Sequence, residues 1–178
     1  HRFLPFPERF VGSHPMAGSE RQGPDAARAD LFQAKPCIIT PEPDTALPAL
    51  RAIESLWSTL GMSVIRMSAR QHDRKTAVIS HLPHALAVLL VRVATERGGW
   101  EIASTGFRDT TRQASSNPPM RVDIMVANRD EIIDAVDGLR DQLHSLRTTL
   151  ADGDAEALRD LLHGAKSARD AWLAGQKP

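Results

Sequence analysis

The sequence predicts a mainly α-helical protein in which a small α/β segment is followed by an all-helical domain. Short β-prone runs bounded by glycine or proline mark the first third of the 178 residues. After Ser68 the apolar residues recur at helical spacing only. Between Ile132 and Leu150 they alternate steps of four and three residues, which is a heptad-like seam. We therefore predict a domain boundary near Ser68, with domains at 1–68 and 69–178.

The α/β segment contains three predicted strands and one predicted helix. Phe10–Val11 and Cys37–Thr40 are short apolar runs and form the first two strands. Apolar residues then fall on one helical face from Leu47 to Leu60, and Gly61 can close that helix. Ser63–Met67 is the third strand. This order is that of an α/β sheet, with too few strands for a whole one.

The helical part begins with a predicted helix over 70–97, which Pro83 should kink or restart. A polar, glycine-containing stretch follows, and then a helix of some thirty residues from Pro119 to Leu150. A turn at 152–154 leads to the last helix. An apolar seam of such length needs an apolar partner, because an exposed stripe would aggregate. We interpret the partner as a second copy of the chain in a homodimer, and an intrachain bundle is the alternative.

Composition excludes several classes of function. Lys and Arg number 22, as do Asp and Glu, so the chain has no basic footprint for nucleic acid or an anionic membrane. We expect no membrane span, because no apolar stretch approaches about 20 residues, and the first residues lack signal-peptide organisation. The single cysteine, Cys37, excludes an internal disulfide and lies in an apolar run, so we expect a buried thiol and a cytoplasmic protein.

Titratable side chains stand among glycines or apolar residues in three places. They are His14 and Glu20 in HPMAGSE, His81 and His84 in SHLPHAL, and Arg108, Asp109 and Arg112 in TGFRDTTR. Taken singly, each has an ordinary alternative: a histidine bonded to backbone, or a solvated pair between Asp109 and Arg112. A metal site at His81 and His84 is a weaker alternative, because no acidic residue adjoins the pair, and we expect no metal ion.

Taken together, HPMAGSE, SHLPHALA and STGFRDTTRQASSNPPM resemble the prephenate/arogenate dehydrogenase family of tyrosine biosynthesis. The three motifs stand in the family's order and approximate spacing, and the resemblance runs from Phe10 to the last helix. It implies a nucleotide-binding domain joined to a helical domain that dimerises. It also implies an oxidoreductase that converts prephenate to 4-hydroxyphenylpyruvate and CO2 with NAD or NADP; relatives use arogenate and give tyrosine.

The resemblance also implies a role for each candidate residue. His14 is the catalytic base that accepts the substrate's hydroxyl proton, and Gly12 and Pro15 lie near the nicotinamide. Arg112 holds a substrate carboxylate with its two-pronged donors. His84 lies near the substrate, together with His81.

Acidic residues complete the implied site: Glu20 lines or braces it, and Asp109 can reach it from the dimer partner. Two positions depart from the family pattern. Arg121 stands where tryptophan is common, and Thr105 stands where glycine is frequent. Because both positions belong to the part that contacts the substrate side chain, prephenate and arogenate both remain open as substrates.

A larger departure is that no GxGxxG motif followed by a helix occurs in the chain. We therefore expect a fragment whose cofactor binds mainly to a domain absent from this chain, and which has little activity alone. The alternative from another class is a non-catalytic helical module for dimerisation or ligand sensing.

Overall fold

The computed structural model describes residues 4–18, 23, 25 and 27–175. The chain divides into two compact units, His1–Ile132 and Ile133–Pro178. The first unit holds a small sheet and most of the helices, and the second is helical. The predicted fold class, a small α/β part followed by helices, is confirmed.

The sheet has three strands, β1 (Gly12–Pro15), β2 (Pro36–Thr40) and β3 (Ser63–Arg66), in the order β1-β2-β3. β1 runs antiparallel to β2, and β3 runs parallel to β2. The first strand was predicted at Phe10–Val11, and this position is wrong by two residues. Val11 is buried in the core, whereas the ladder begins where Gly12 pairs with Thr40, so that His14 belongs to the strand.

Helix α1 (Leu47–Thr59) follows β2 and packs its apolar face on the sheet. Gly61 ends this helix with a φ of +82°, a conformation that favours glycine, and its N–H donates to the Ser58 carbonyl. The core of this part is made of five buried side chains: Val11, Cys37, Ile39, Leu50 and Met62. The Cys37 thiol is fully buried, and burial raises its pKa.

A continuous helical segment follows β3 and carries three histidines. It consists of α2 (Ala69–Thr76), a π-helical turn (Ala77–His81) and α3 (Leu82–Arg97). A capping box at Ser68 opens it, because the Ser68 hydroxyl accepts the Gln71 N–H while the Gln71 side chain accepts the Ser68 N–H. Pro83 falls in the first turn of α3, where the π-helical turn ends and the α-helix begins, and the helical segment continues through this proline.

The expectation of no apolar stretch long enough to cross a bilayer needs correction. Ala69–Arg97 is 29 residues long, and its most apolar 18-residue window has a mean hydropathy of 1.7 with 17% of the window buried. By length and composition this helix, alone among the described residues, could span a membrane, and the core helix of a soluble protein passes the same test.

The polar stretch after α3 is helical. α4 (Thr105–Thr111) leads into a 3-10 turn (Arg112–Ser115), and α5 spans Pro118–Ala127. The prediction of a single helix from Pro119 to Leu150 is wrong, because the helix is interrupted at Asn128, where φ is −110° and ψ is 29°. The Asn128 side chain donates to the backbone oxygen of Asp73, a contact across 55 positions of sequence.

The second unit contains most of α6 (Arg129–Asp152) and all of α7 (Ala155–Ala174). The predicted turn between them is confirmed, since Gly153 has a φ of +66° and the Asp154 carboxylate caps α7 by accepting the Ala157 N–H at 2.9 Å. Large apolar side chains of the two helices remain exposed in the single chain. They are Ile133, Val136, Leu143, Leu150, Leu161, Leu162, Trp172 and Leu173.

Candidate active site

His14 lies at the carboxyl end of β1, opposite Ile38 of β2. Its Nδ1 is 2.7 Å from Nε2 of His72, and the two rings meet edge to face with centroids 5.0 Å apart. Partial removal from water lowers the pKa of His14, and the positive charge that His72 can carry lowers it further. His14 is therefore neutral at neutral pH, which is the state that a general base requires.

His72 connects His14 to a carboxylate. It lies on α2, and its Nδ1 is 2.8 Å from Oδ1 of Asp73, the next residue. The His72 side chain is 18% exposed and that of Asp73 is 50% exposed. The Thr76 hydroxyl bonds to the backbone oxygens of both residues, so the turn that carries the pair is held at several points.

His81, in the π-helical turn, belongs to the same cluster. Its Nδ1 lies 3.2 Å from Nδ2 of Asn128, and that amide nitrogen also donates to the backbone oxygen of Asp73 at 2.9 Å. Burial lowers the pKa of His81, and the nearby charge of Arg121 lowers it further. A neutral His81 that accepts from Asn128 is the arrangement that satisfies both side chains.

His84 and Arg121 line a separate small cavity of about 210 Å³, walled mainly by apolar side chains. His84 is only 5% exposed, and burial followed by the charge of Arg121 lowers its pKa. Its Nδ1 and the Nε of Arg121 are buried and have no hydrogen-bond partner among the described residues. Arg121 Nη2 bonds to the Ser116 hydroxyl at 3.4 Å. Two side chains that line the cavity thus each carry a buried nitrogen whose hydrogen-bonding capacity is not satisfied.

Arg112 lines a larger cavity of about 690 Å³, together with Arg108. Arg108 lies on α4, one helical turn before Arg112, and Arg108 Nε is 3.2 Å from the Asp109 carboxylate. Asp109 and Arg108 are both exposed. The structure therefore places Asp109 beside Arg108. Arg112 and Arg108 line one cavity, and His84 and Arg121 line the other.

Two predicted residues can be placed at the strand end and one cannot. Gly12 is explained by packing, because an added Cβ would overlap the Thr40 hydroxyl of β2. Pro15 is the last residue of β1 and, because β1 runs antiparallel to β2, it pairs with Cys37 near the amino end of β2. Glu20 lies outside the described residues.

Within 4–18, 23, 25 and 27–175, no three side chains of His, Cys, Asp or Glu converge on a point that could hold an ion. His81 is bonded to Asn128, and His84 faces the small cavity instead.

Comparison with known protein families tests the family resemblance of the three sequence motifs that contain His14, His84 and Arg112. Residues 1–66 match a family model described as the prephenate dehydrogenase nucleotide-binding domain, and residues 68–164 match one described as the prephenate dehydrogenase dimerization domain. The chain belongs to the prephenate dehydrogenase family. The resemblance seen in the sequence motifs is thereby confirmed.

Individual members of the prephenate dehydrogenase family are similar over nearly all of this chain. A cyclohexadienyl dehydrogenase of Zymomonas mobilis is 37% identical over 169 residues, which are 90% of this chain and 57% of the relative. The crystal structure of prephenate dehydrogenase from A. aeolicus with hydroxyphenyl propionate and NAD+ has a TM-score of 0.86 at 33% identity, covering 92% of this chain and 59% of that one. Synechocystis arogenate dehydrogenase has a TM-score of 0.81 at 30% identity, covering 92% and 61%.

This member of the prephenate dehydrogenase family spans about half the length of the curated relatives that it matches, 57% of one and 48% of another. Within that span the structure brings His14 and His81 into one cluster with His72. It places His84 with Arg121 at one cavity and Arg112 with Arg108 at another.

Sequence analysis missed His72, Asp73 and Asn128. The available signal was the adjacent His-Asp pair in the first turns of the helix that follows β3. The local sequence does not mark that pair as part of a site, because its partners lie 58 and 55 positions away in sequence. Only the pairing of β1 with β2, and of β2 with β3, brings His14 beside this helix.

Proposed function

We propose that this chain carries the proton-transfer and substrate-binding part of a prephenate dehydrogenase, an NAD(P)-dependent enzyme that converts prephenate to 4-hydroxyphenylpyruvate and CO2. The observation that carries the proposal is His14, a neutral imidazole at the carboxyl end of β1 that is hydrogen-bonded to His72. Family membership supports it, because both family models that match are named for prephenate dehydrogenase.

The reaction requires a base at the C4 hydroxyl of the substrate. The nicotinamide cofactor, when bound, accepts the hydride that leaves C4. We assign His14 Nε2 as the atom that takes the hydroxyl proton at the same time. Loss of the C1 carboxylate as CO2 then aromatises the ring and leaves the electron pair on the C4 oxygen. His14 returns its proton there, so no net proton is gained or lost.

Prephenate carries two carboxylates, and each needs a cationic donor. We assign one to Arg112, whose planar guanidinium suits a carboxylate and which lines the larger cavity. We assign the other to Arg121 and His84, supported by their unpartnered nitrogens in the small cavity. Asp109, beside Arg108 in the same turn of helix as Arg112, is assigned to bracing that region or reaching the site of a dimer partner.

We propose prephenate rather than arogenate as the preferred substrate. Arogenate carries an ammonium group on its side chain, and the positive charge of Arg121 opposes such a group while it attracts a carboxylate. The alternative substrate has support of its own, because one similar structure is named as an arogenate dehydrogenase.

We also propose that the protein is a homodimeric enzyme of the cytoplasm with its domain boundary near Ser68. The boundary is supported by the two family matches, which end at residue 66 and begin at residue 68. The homodimer is supported by the description of the second match as a dimerization domain. Exposed apolar side chains on α3 also support it, since Leu89 and Val93 are 53% and 55% exposed in the single chain.

The test is the turnover of prephenate and arogenate, with NAD and with NADP, by the protein encoded by the complete gene. His14→Asn should lower kcat at least about 100-fold, since a positioned base contributes roughly 10²–10⁴-fold. His163→Asn, an exposed histidine of α7, is the matched control and should keep full activity. Unchanged turnover in His14→Asn removes the base assignment. No turnover of either substrate by the unaltered protein favours the non-catalytic module.

A further inference from the structure

A line of hydrogen bonds runs from His14 to a carboxylate that no motif of the sequence had marked. His14 Nδ1 lies 2.7 Å from His72 Nε2, and His72 Nδ1 lies 2.8 Å from Asp73 Oδ1. The three side chains come from two elements, β1 and α2, that are distant in sequence. Two imidazoles and one carboxylate in series are the parts of a proton relay.

The carboxylate decides which nitrogen carries each hydrogen. An ionised Asp73 can only accept, so His72 must hold its hydrogen on Nδ1. Nε2 of a neutral His72 then carries a lone pair and can only accept. In the 2.7 Å hydrogen bond between the two rings, His14 Nδ1 must therefore be the donor and must carry the hydrogen. This leaves the lone pair of His14 on Nε2, which is the atom assigned to the substrate hydroxyl.

The relay is held by bonds that do not involve its own side-chain atoms. Asn128 Nδ2 donates to the Asp73 backbone oxygen at 2.9 Å, and the Thr76 hydroxyl bonds to the backbone oxygens of His72 and Asp73. The capping box at Ser68 fixes the start of the same helix. These anchors keep the rings in register with little side-chain entropy left to lose when substrate binds.

We propose that His72 and Asp73 are positioning residues that fix the tautomer of His14 and share its positive charge during the reaction; this rests on the proposed dehydrogenase function. As His14 Nε2 takes the hydroxyl proton, the Nδ1 hydrogen moves toward His72 and the His72 hydrogen moves toward Asp73. The same hydrogens return when the C4 oxygen recovers its proton. No atom is lost, and the only oxidant is the nicotinamide of the proposed reaction.

Charged and titratable groups around the relay favour a neutral resting state. The positive charge that His72 can carry opposes one on His14. At His81, beside the relay, Arg121 opposes a positive charge and Asp73 favours one. Asp73 is thus the group that can stabilise the transient imidazolium. Its removal takes away a negative charge that stabilises the imidazolium, so the acid limb of the kcat/KM profile should move to lower pH.

Two measurements test the relay. The first is histidine ¹⁵N NMR on this chain alone, without cofactor or substrate: at neutral pH, Nδ1 of His14 and Nδ1 of His72 should appear protonated, and Nε2 of His14 should not. The second is Asp73→Asn in the complete protein. We expect kcat to fall about 10- to 100-fold with KM within about twofold, by analogy with other carboxylate–histidine pairs, and the acid limb to move to lower pH. Asp123→Asn, an exposed carboxylate of α5, should behave as the unaltered protein.

The outcomes separate this proposal from the proposed function. The opposite His14 tautomer in the NMR spectra overturns the relay. So does an Asp73→Asn protein with unchanged kcat, or with lowered kcat and an unmoved acid limb, which is the behaviour of a merely structural residue. In each of these cases a large loss in His14→Asn leaves the proposed function standing. Active His14→Asn enzyme would instead overturn the function assigned to His14, whatever the tautomers are.

Discussion

At the scale of single residues, two side chains that line the small cavity beside α3 have buried nitrogens without hydrogen-bond partners among the described residues. These atoms are His84 Nδ1 and Arg121 Nε. A buried polar group without a partner costs about 1–3 kcal/mol, and more when it is charged. A ligand carboxylate that reaches both atoms would recover this free energy on binding, which is the reason for proposing that Arg121 determines substrate choice.

The substitution Arg121→Met tests that role, because methionine keeps an unbranched side chain and removes the charge. A charge-assisted hydrogen bond contributes about 1.5–3 kcal/mol, so kcat/KM for prephenate should fall roughly 10- to 100-fold. The value for arogenate should fall less, because repulsion of its ammonium group is removed as well. The ratio of the two constants, measured by NAD(P)H absorbance, should therefore drop.

The control for this comparison is Arg129→Met, since Arg129 is an exposed arginine paired with its neighbour Asp130. It should change neither constant. Equal losses for prephenate and arogenate in Arg121→Met would contradict a role in telling the two apart, and they would leave Arg121 with a general effect on the fold of α5.

Residues that share a motif were predictable, and residues that meet only through the fold were not. His14, His84 and Arg112 were identified because each lies in a run of residues typical of the family. His72 was not, because its significance comes from a hydrogen bond across 58 positions. The side-chain pairing of Asp109 with Arg108 was likewise not predictable from spacing alone, because two arginines lie close to Asp109 in sequence.

At the scale of elements, periodicity predicted the helices and strands between Cys37 and Arg97 closely. Local apolar spacing and glycine or proline boundaries determine these elements, and both are visible in sequence. The break at Asn128 could not be predicted, because it accompanies a long-range bond from that side chain to the backbone of Asp73. The shift of β1 depends similarly on which residue meets Thr40 of the neighbouring strand.

Two glycine substitutions should change stability in opposite directions. Gly61→Ala places a side chain at a φ of +82° and against the Gln33 side chain, so the free energy of unfolding should fall by about 1–2 kcal/mol or more. Gly138→Ala lies inside α6 with open space around it, and should raise that free energy by about 0.5–1 kcal/mol. Urea unfolding followed by circular dichroism measures both. A stabilising Gly61→Ala would contradict the helix end described for α1.

At the scale of the whole molecule, the amount of exposed apolar surface is larger than a single chain in water should carry. Val78, Ile79, Leu89 and Val93, all in the helical segment after β3, are each more than half exposed. Monomeric proteins rarely leave such contiguous apolar surface uncovered. The same segment has the hydropathy of a membrane span. Its exposed apolar surface could be covered by a second protein chain or by a lipid bilayer, and an experiment can tell the two apart.

If this face of α3 is the dimer interface, two carboxylates introduced on it should separate the two chains. Leu89 and Val93 lie one turn apart on α3 and are each just over half exposed, so Leu89→Glu with Val93→Glu removes only part of their packing in the single chain. Light scattering after size exclusion should give the unaltered chain about twice its 19.5 kDa mass and the double variant one mass. Arg92→Glu, a polar exposed position of α3, should leave the dimer intact. A double variant that remains dimeric would exclude this face as the interface, and flotation of the unaltered chain with lipid vesicles would contradict the dimer.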